Sequence, residues 1–120
     1  MTKHNINIEV ALDAEKMPEQ INWHASGSGN DEASPAKAFM LALWDGQEKT
    51  AMRIDLWTKK MMVDEMNDFF FQTMMTMADT FNRATRNEAL AAEFKEFARS
   101  FKRKADEALM KESDKAQGQG

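Results

Sequence analysis

The apolar positions of this chain change period halfway along. In the first dozen residues Ile6, Ile8, Val10 and Leu12 alternate with Asn5, Asn7, Glu9 and Ala11, the period-two signature of a half-buried strand. Turn-formers and a proline follow in DAEKMPEQ, and Ile21, Trp23 and Ala25 then alternate with Asn22 and His24. The two runs predict a hairpin with a long connection. Residues 26–35, SGSGNDEASP, read as loop because small, flexible and polar residues succeed one another. A second hairpin is predicted from Phe39, Leu41 and Leu43 on one strand and Met52, Ile54 and Leu56 on its partner, with DGQEKT between them. If those apolar sets share a face, the opposite face carries Met40, Ala42 and Trp44 beside Ala51, Arg53, Asp55 and Trp57.

The second half is written in period 3.6. Neither Gly nor Pro interrupts residues 64–85 or 87–112, so two helices are predicted there. Asp64, Glu65 and Asp68 place negative charge in the opening turns of the first, where it complements the helix dipole. Asn87 is the expected N-cap of the second, and so short a connection makes the pair antiparallel. The fold class predicted is α+β, in the order ββββαα. It comprises a four-stranded antiparallel sheet of two hairpins, with an antiparallel helix pair packed on one face. Residues 1–112 are read as a single domain and residues 113–120 as a flexible polar tail.

The first helix contains an unusual run, KKMMVDEMNDFFFQTMMTM, over residues 59–77. At about 100° per residue, Asp64, Asp68, Gln72, Asp79, Asn82 and Arg83 fall in a narrow arc. Val63, Met66, Phe69, Phe70, Phe71, Met74, Met77, Ala78 and Phe81 fill about 200° opposite, with Met75 alone among the carboxylates. One neighbour covers about half that width, so the helix is expected to be buried on more than one side, between sheet and partner helix. A Met-rich binding groove is the competing reading. A membrane-surface helix would carry Lys and Arg where this one carries aspartates. On the second helix, Leu90, Phe94, Phe97, Ala98, Phe101, Ala105 and Ala108 form a narrower stripe of about 120°. Lys95, Arg99, Lys102 and Arg103 are expected on its outer face, interleaved with Glu96, Asp106 and Glu107.

Composition narrows the function classes. Hydrophobic residues make up 42% and charged residues 30% of the 120 positions, an ordinary globular balance. The net charge of −4 disfavours phosphate-driven binding, so no nucleic-acid partner is expected. Without cysteine there is no disulfide, thiolate metal site or thiol catalysis. The sequence MTKHNINIEV lacks the features of a secretory signal, and no apolar run approaches the ~20 residues of a membrane span. No membrane insertion is expected, and a cytoplasmic location is the default.

Little in the sequence points to a reaction centre. His4 and His24 have no companion ligand at helical spacing, and no phosphate loop, nucleophile elbow or H-E-x-x-H motif occurs. Only the outer sheet face, with Glu9, His24, Arg53 and Asp55, offers groups for acid–base work, and polar residues there more often simply solvate a sheet. The chain is therefore read as a non-enzyme without metal or cofactor. The same face carries Met40, Trp44, Arg53 and Trp57. Large apolar side chains there either shelter under loops or form a contact surface for a protein partner or a second copy.

Three runs carry a family resemblance: ALDAEKMPEQINWHAS, AKAFMLALWD and RIDLWTKKMMVDEMNDFFFQTMMTMADTFNRAT. The chain resembles the gliding-motility protein GldC family over roughly residues 5–110. The resemblance implies a cytoplasmic accessory protein supporting gliding, not an enzyme, whose partners are proteins of the gliding machinery. It supplies no catalytic or ligand residues. A small apolar-ligand or lipid-binding module, with a cavity between sheet and Met/Phe helix, is the alternative reading.

Overall fold

A computed structural model of the chain describes residues 1–27 and 32–118, with side chains to residue 114. The chain divides into two compact units, Met1–Met61 and Met62–Gly120.

The first unit is all β. Strands β1 (Ile6–Leu12) and β2 (Pro18–Ala25) pair antiparallel, with Ile8 opposite Trp23 and Val10 opposite Ile21. Asp13 closes their connection: its Oδ1 accepts from the backbone N–H of Glu15 at 2.8 Å and of Met17 at 3.0 Å. Lys16 takes the left-handed conformation (φ 64) that lets the chain reverse. The second hairpin, β4 (Ala38–Asp45) with β5 (Thr50–Trp57), uses the same device. Asp45 Oδ1 accepts from Gln47 and Glu48, and Lys49 is left-handed at φ 55. At the open end of that hairpin, Thr58 is buried, and both its N–H and its hydroxyl donate to the Lys37 carbonyl (2.8 and 3.0 Å).

Two expectations need correction in this unit. The strands do not form one four-stranded sheet; they form a three-stranded sheet, β1-β2-β3, and a separate two-stranded ribbon, β4-β5. The added strand, β3 (Ser34–Ala36), begins within the last two residues of the segment read as loop and pairs with β2 through Ile21–Ala36, Asn22–Pro35 and Trp23–Ser34. Residues 28–31 of that expected loop lie outside the described residues. A three-residue strand of Ser, Pro and Ala has no alternation to reveal it. Pro35 is tolerated because β3 is an edge strand, where a missing N–H leaves no ladder bond unmade. With β2 flanked on both sides, its Ile21 is the largest fully buried side chain among the described residues.

The second unit is a helical hairpin. Helix α1 (Val63–Thr85) opens with the Met62 N–H donating to the Glu65 carboxylate at 3.2 Å, and acidic Asp64 and Glu65 occupy its first turn. It ends at Arg86, left-handed at φ 60, whose N–H returns to the Asn82 carbonyl at 2.7 Å. Helix α2 begins at Glu88 and runs past Glu112 to Gly118. Asn87 caps it as expected, its Oδ1 accepting from the Leu90 N–H at 3.1 Å. Ala78, Ala91 and Ala98 are buried, so small side chains bring the two helices together.

The rotation of the helices differs from expectation. Asp68 and Asp79 do not face away from α2: Lys102 Nζ meets Asp68 at 3.0 Å, and Lys95 Nζ meets Asp79 at 2.6 Å. Lys102 also pairs with Asp106, whose other oxygen accepts from Asn67 Nδ2 at 3.3 Å. Lys95 and Lys102 therefore belong to the helix–helix border and not to the outer face of α2. Met75, expected to stand exposed among carboxylates, is half-buried there. Long lysine stems reach across the seam while their charges stay wet, so a polar arc can border a packed one. The consequence is that Phe70, Met77 and Phe81, expected in the core, are exposed.

Candidate interaction site on the two-stranded ribbon

Register fixes which side chains share a face. Opposite one another stand Ala38 and Trp57, Met40 and Asp55, Ala42 and Arg53, and Trp44 and Ala51. The four residues singled out from the sequence, Met40, Trp44, Arg53 and Trp57, therefore lie on one face. Trp44 is 69% exposed and Trp57 58% exposed, while Met40 is half-buried. Trp57 lies opposite Ala38, six residues before Trp44, so the two indoles mark the ends of a row about 20 Å long. On the same face stand Ala38, Met40 and Ala42 of β4 and Ala51, Arg53 and Asp55 of β5.

At the centre, Arg53 Nη2 donates to Asp55 Oδ1 at 2.7 Å. Both side chains are close to half exposed, so the pair neutralises the middle of the face without sealing it. Two aromatic anchors flanking a satisfied ion pair suit recognition by burial. An always-protonated guanidinium bound to a carboxylate is poorly placed to move protons. The opposite face, with Leu43, Met52 and Ile54, was expected to be the core side, yet those three residues are exposed as well. A two-stranded ribbon by itself buries little of either face, so apolar groups show on both.

The other candidate constellation does not assemble. Glu9 and His24 lie diagonally across β1 and β2 and line a trough of about 240 Å³ with Asn7, Asn22, Trp23 and Ala33. Arg53 and Asp55 belong to the other sheet and are bound to each other. His4 rests against Gly27, whose positive φ of 78 and close imidazole (3.3 Å from where a Cβ would stand) favour glycine. Among the described residues, no group of three or more His, Asp or Glu side chains is placed to hold a metal ion. The perturbed groups Asp13, Lys59, Lys102 and Asp106 all belong to ion pairs away from both candidate constellations. Lys59 donates to Asp13 Oδ2 at 2.7 Å, and this bond, aided by the Met17 and Glu15 amides, holds the Asp13 carboxyl below its ordinary value.

A second apolar surface involves α1, the helix for which a Met-rich binding groove is the competing reading from the sequence. A trough of about 430 Å³ lined by Phe81, Leu90, Glu93, Phe94 and Phe97 lies on the helical hairpin. The signal for it was present: an apolar arc of about 200° on α1 exceeds what one partner helix can cover.

Fold and surface together define a small α+β protein whose prominent exposed features are aromatic and aliphatic. Residues 18–107, three quarters of the chain, match the family described as gliding motility-associated protein GldC-like, and the chain belongs to that family. No curated protein and no solved structure matches it. No helix among the described residues is long and apolar enough to cross a membrane.

Proposed function

We propose that this chain is a non-enzymatic accessory protein of gliding motility that acts through protein–protein contact from the cytoplasmic side. Its contact surface is the face of β4-β5 bearing Met40, Trp44, Arg53 and Trp57. The observation that carries this reading is the pair of open indoles, Trp44 and Trp57, at the two ends of one ribbon face whose centre is the neutralised Arg53–Asp55 pair. Tryptophan is enriched among binding hot spots because burying so large a ring against a partner is strongly favourable. Family membership supports the gliding context.

The test is complementation in a gliding strain deleted for this gene. Trp44→Ala/Trp57→Ala should accumulate at wild-type levels yet fail to restore colony spreading, and should lose the gliding-machinery proteins that wild type recovers in native pull-downs. Full spreading with unchanged recovery would rule this face out.

A further inference from the structure

The helical hairpin has two unlike flanks. On one, Asp68 and Asp79 are bound to Lys102 and Lys95. On the other, α1 presents Phe70, Met77 and Phe81, and α2 presents Leu90 and Phe97. That flank is continuous across the seam: the Phe70 and Phe101 rings stack with centroids 6.3 Å apart, and Phe97 lies 6.3 Å from Phe101. The α1 positions turned this way include Phe70, Thr73, Met77, Thr80, Phe81 and Ala84, and none of them carries a charge.

Phe70 is 41%, Met77 49%, Phe81 37%, Leu90 46% and Phe97 61% exposed. Taking about 200 Å² for each ring and somewhat less for Met and Leu, those side chains leave roughly 450 Å² of apolar surface open. A standard protein interface takes about 800 Å² from each partner, of which somewhat over half is apolar, so the flank matches one partner's share.

Its rim is also its own complement. Phe97 and Phe101 lie near the middle of the α2 stripe. Glu93 precedes their midpoint by a rise of about 9 Å along the axis, and Lys104 follows it by about 7.5 Å. Both border the apolar stripe on its solvent side, and neither forms an ion pair among the described residues. Two-fold pairing requires a patch that fits a second copy of itself, and antiparallel apposition of two α2 helices brings each Glu93 to the partner's Lys104.

We propose that a second copy of this chain docks on this flank, giving a two-fold dimer with a four-helix bundle at its centre. Phe70, Phe97 and Phe101 form its buried middle, and two Glu93–Lys104 pairs set its antiparallel register. The trough beside Phe97 receives apolar side chains of the partner. This dimer is independent of the gliding reading, because it concerns the pure protein.

Sedimentation velocity of the full-length chain over a dilution series tests it. Twice the 13.7 kDa chain mass is expected at high concentration, falling towards the single-chain mass on dilution. Phe97→Asp should be monomeric throughout with unchanged helical circular dichroism. Glu93→Lys and Lys104→Glu should each weaken the dimer about tenfold or more, and the double swap should recover most of that loss. A wild type that remains at the single-chain mass overturns the proposal. If Phe97→Asp then also lowers the melting temperature, the flank is covered within its own chain; if it does not, the flank serves a foreign partner. A dimer that survives Phe97→Asp, or charge swaps without mutual rescue, overturns it equally.

Discussion

Ile21→Ala and Ile54→Ala delete the same three carbons from two strands of one unit, yet the structure makes their costs unequal. Ile21 is 1% exposed, held between Val10 and Ala36 on the central strand, whereas Ile54 on the ribbon is 52% exposed. At about 0.8 kcal/mol per buried methylene, Ile21 loses about 2.4 kcal/mol of transfer energy. The cavity left behind raises the total to about 3–4 kcal/mol. Ile54 loses about half the transfer term, near 1 kcal/mol, and water fills the space it vacates. The strand preference for a branched side chain is lost in both and cancels in the comparison. All three tryptophans, Trp23, Trp44 and Trp57, lie in Met1–Met61, so their fluorescence during urea titration follows that unit. A difference of about 2 kcal/mol should separate the two midpoints by roughly 0.7–2 M urea at unchanged slope. Equal losses, or a larger loss at Ile54, would show that the ribbon face carrying Leu43, Met52 and Ile54 is covered and that the burial argument is mistaken.

Three further outcomes follow from local geometry. Ala98→Leu inserts a large side chain into a fully closed helix–helix contact and should cost the hairpin about 1–3 kcal/mol by circular dichroism melting, while Ala92→Leu on the exposed side should change stability by less than about 0.5 kcal/mol. Arg86→Gly relieves a left-handed residue at the end of α1 and should stabilise the hairpin by about 0.5–1 kcal/mol; destabilisation would mean that the Arg86 side chain makes an essential contact. Asp13→Asn keeps the Oδ1 acceptor for the Glu15 and Met17 amides but loses the bond from Lys59. Because the folded Asp13 carboxyl titrates below its unfolded value, its stabilising effect is complete above the unfolded pKa and is lost as pH falls through the folded one. Wild type should therefore exceed the variant in stability near neutrality and converge on it below about pH 4; a gap independent of pH would remove Lys59 as the cause.

The class of each major element was legible because it depends on local chemistry. Alternation marked β1, β2, β4 and β5, and it placed Met40, Trp44, Arg53 and Trp57 on one face before any register was known. Asn87 was recognisable as a cap because a short side-chain acceptor preceded a run free of Gly and Pro. The run from Arg53 to Thr85 carried the family resemblance, and it lies inside the span that matches the GldC-like family.

Other features had no local signal. Strand β3 exists because β2 offered a free edge of unpaired amides and carbonyls, and a three-residue segment passing nearby could satisfy them. With β3 on that edge of β2, β4 and β5 pair only with each other among the described residues, and two sheets stand in place of the expected four-stranded one.

Periodicity alone determined that α1 is amphipathic, which residues share each arc, and that the apolar arc is too wide for one neighbour. It did not determine the angle at which α2 meets that arc. Tertiary structure decided this by laying the small residues Ala78, Ala91 and Ala98 along the seam and letting Lys95 and Lys102 reach the aspartates on α1. A helical repeat fixes positions around one axis. The direction of the neighbour depends on where two backbones can approach most closely and which charges can pair across the gap, and both are properties of the pair of helices.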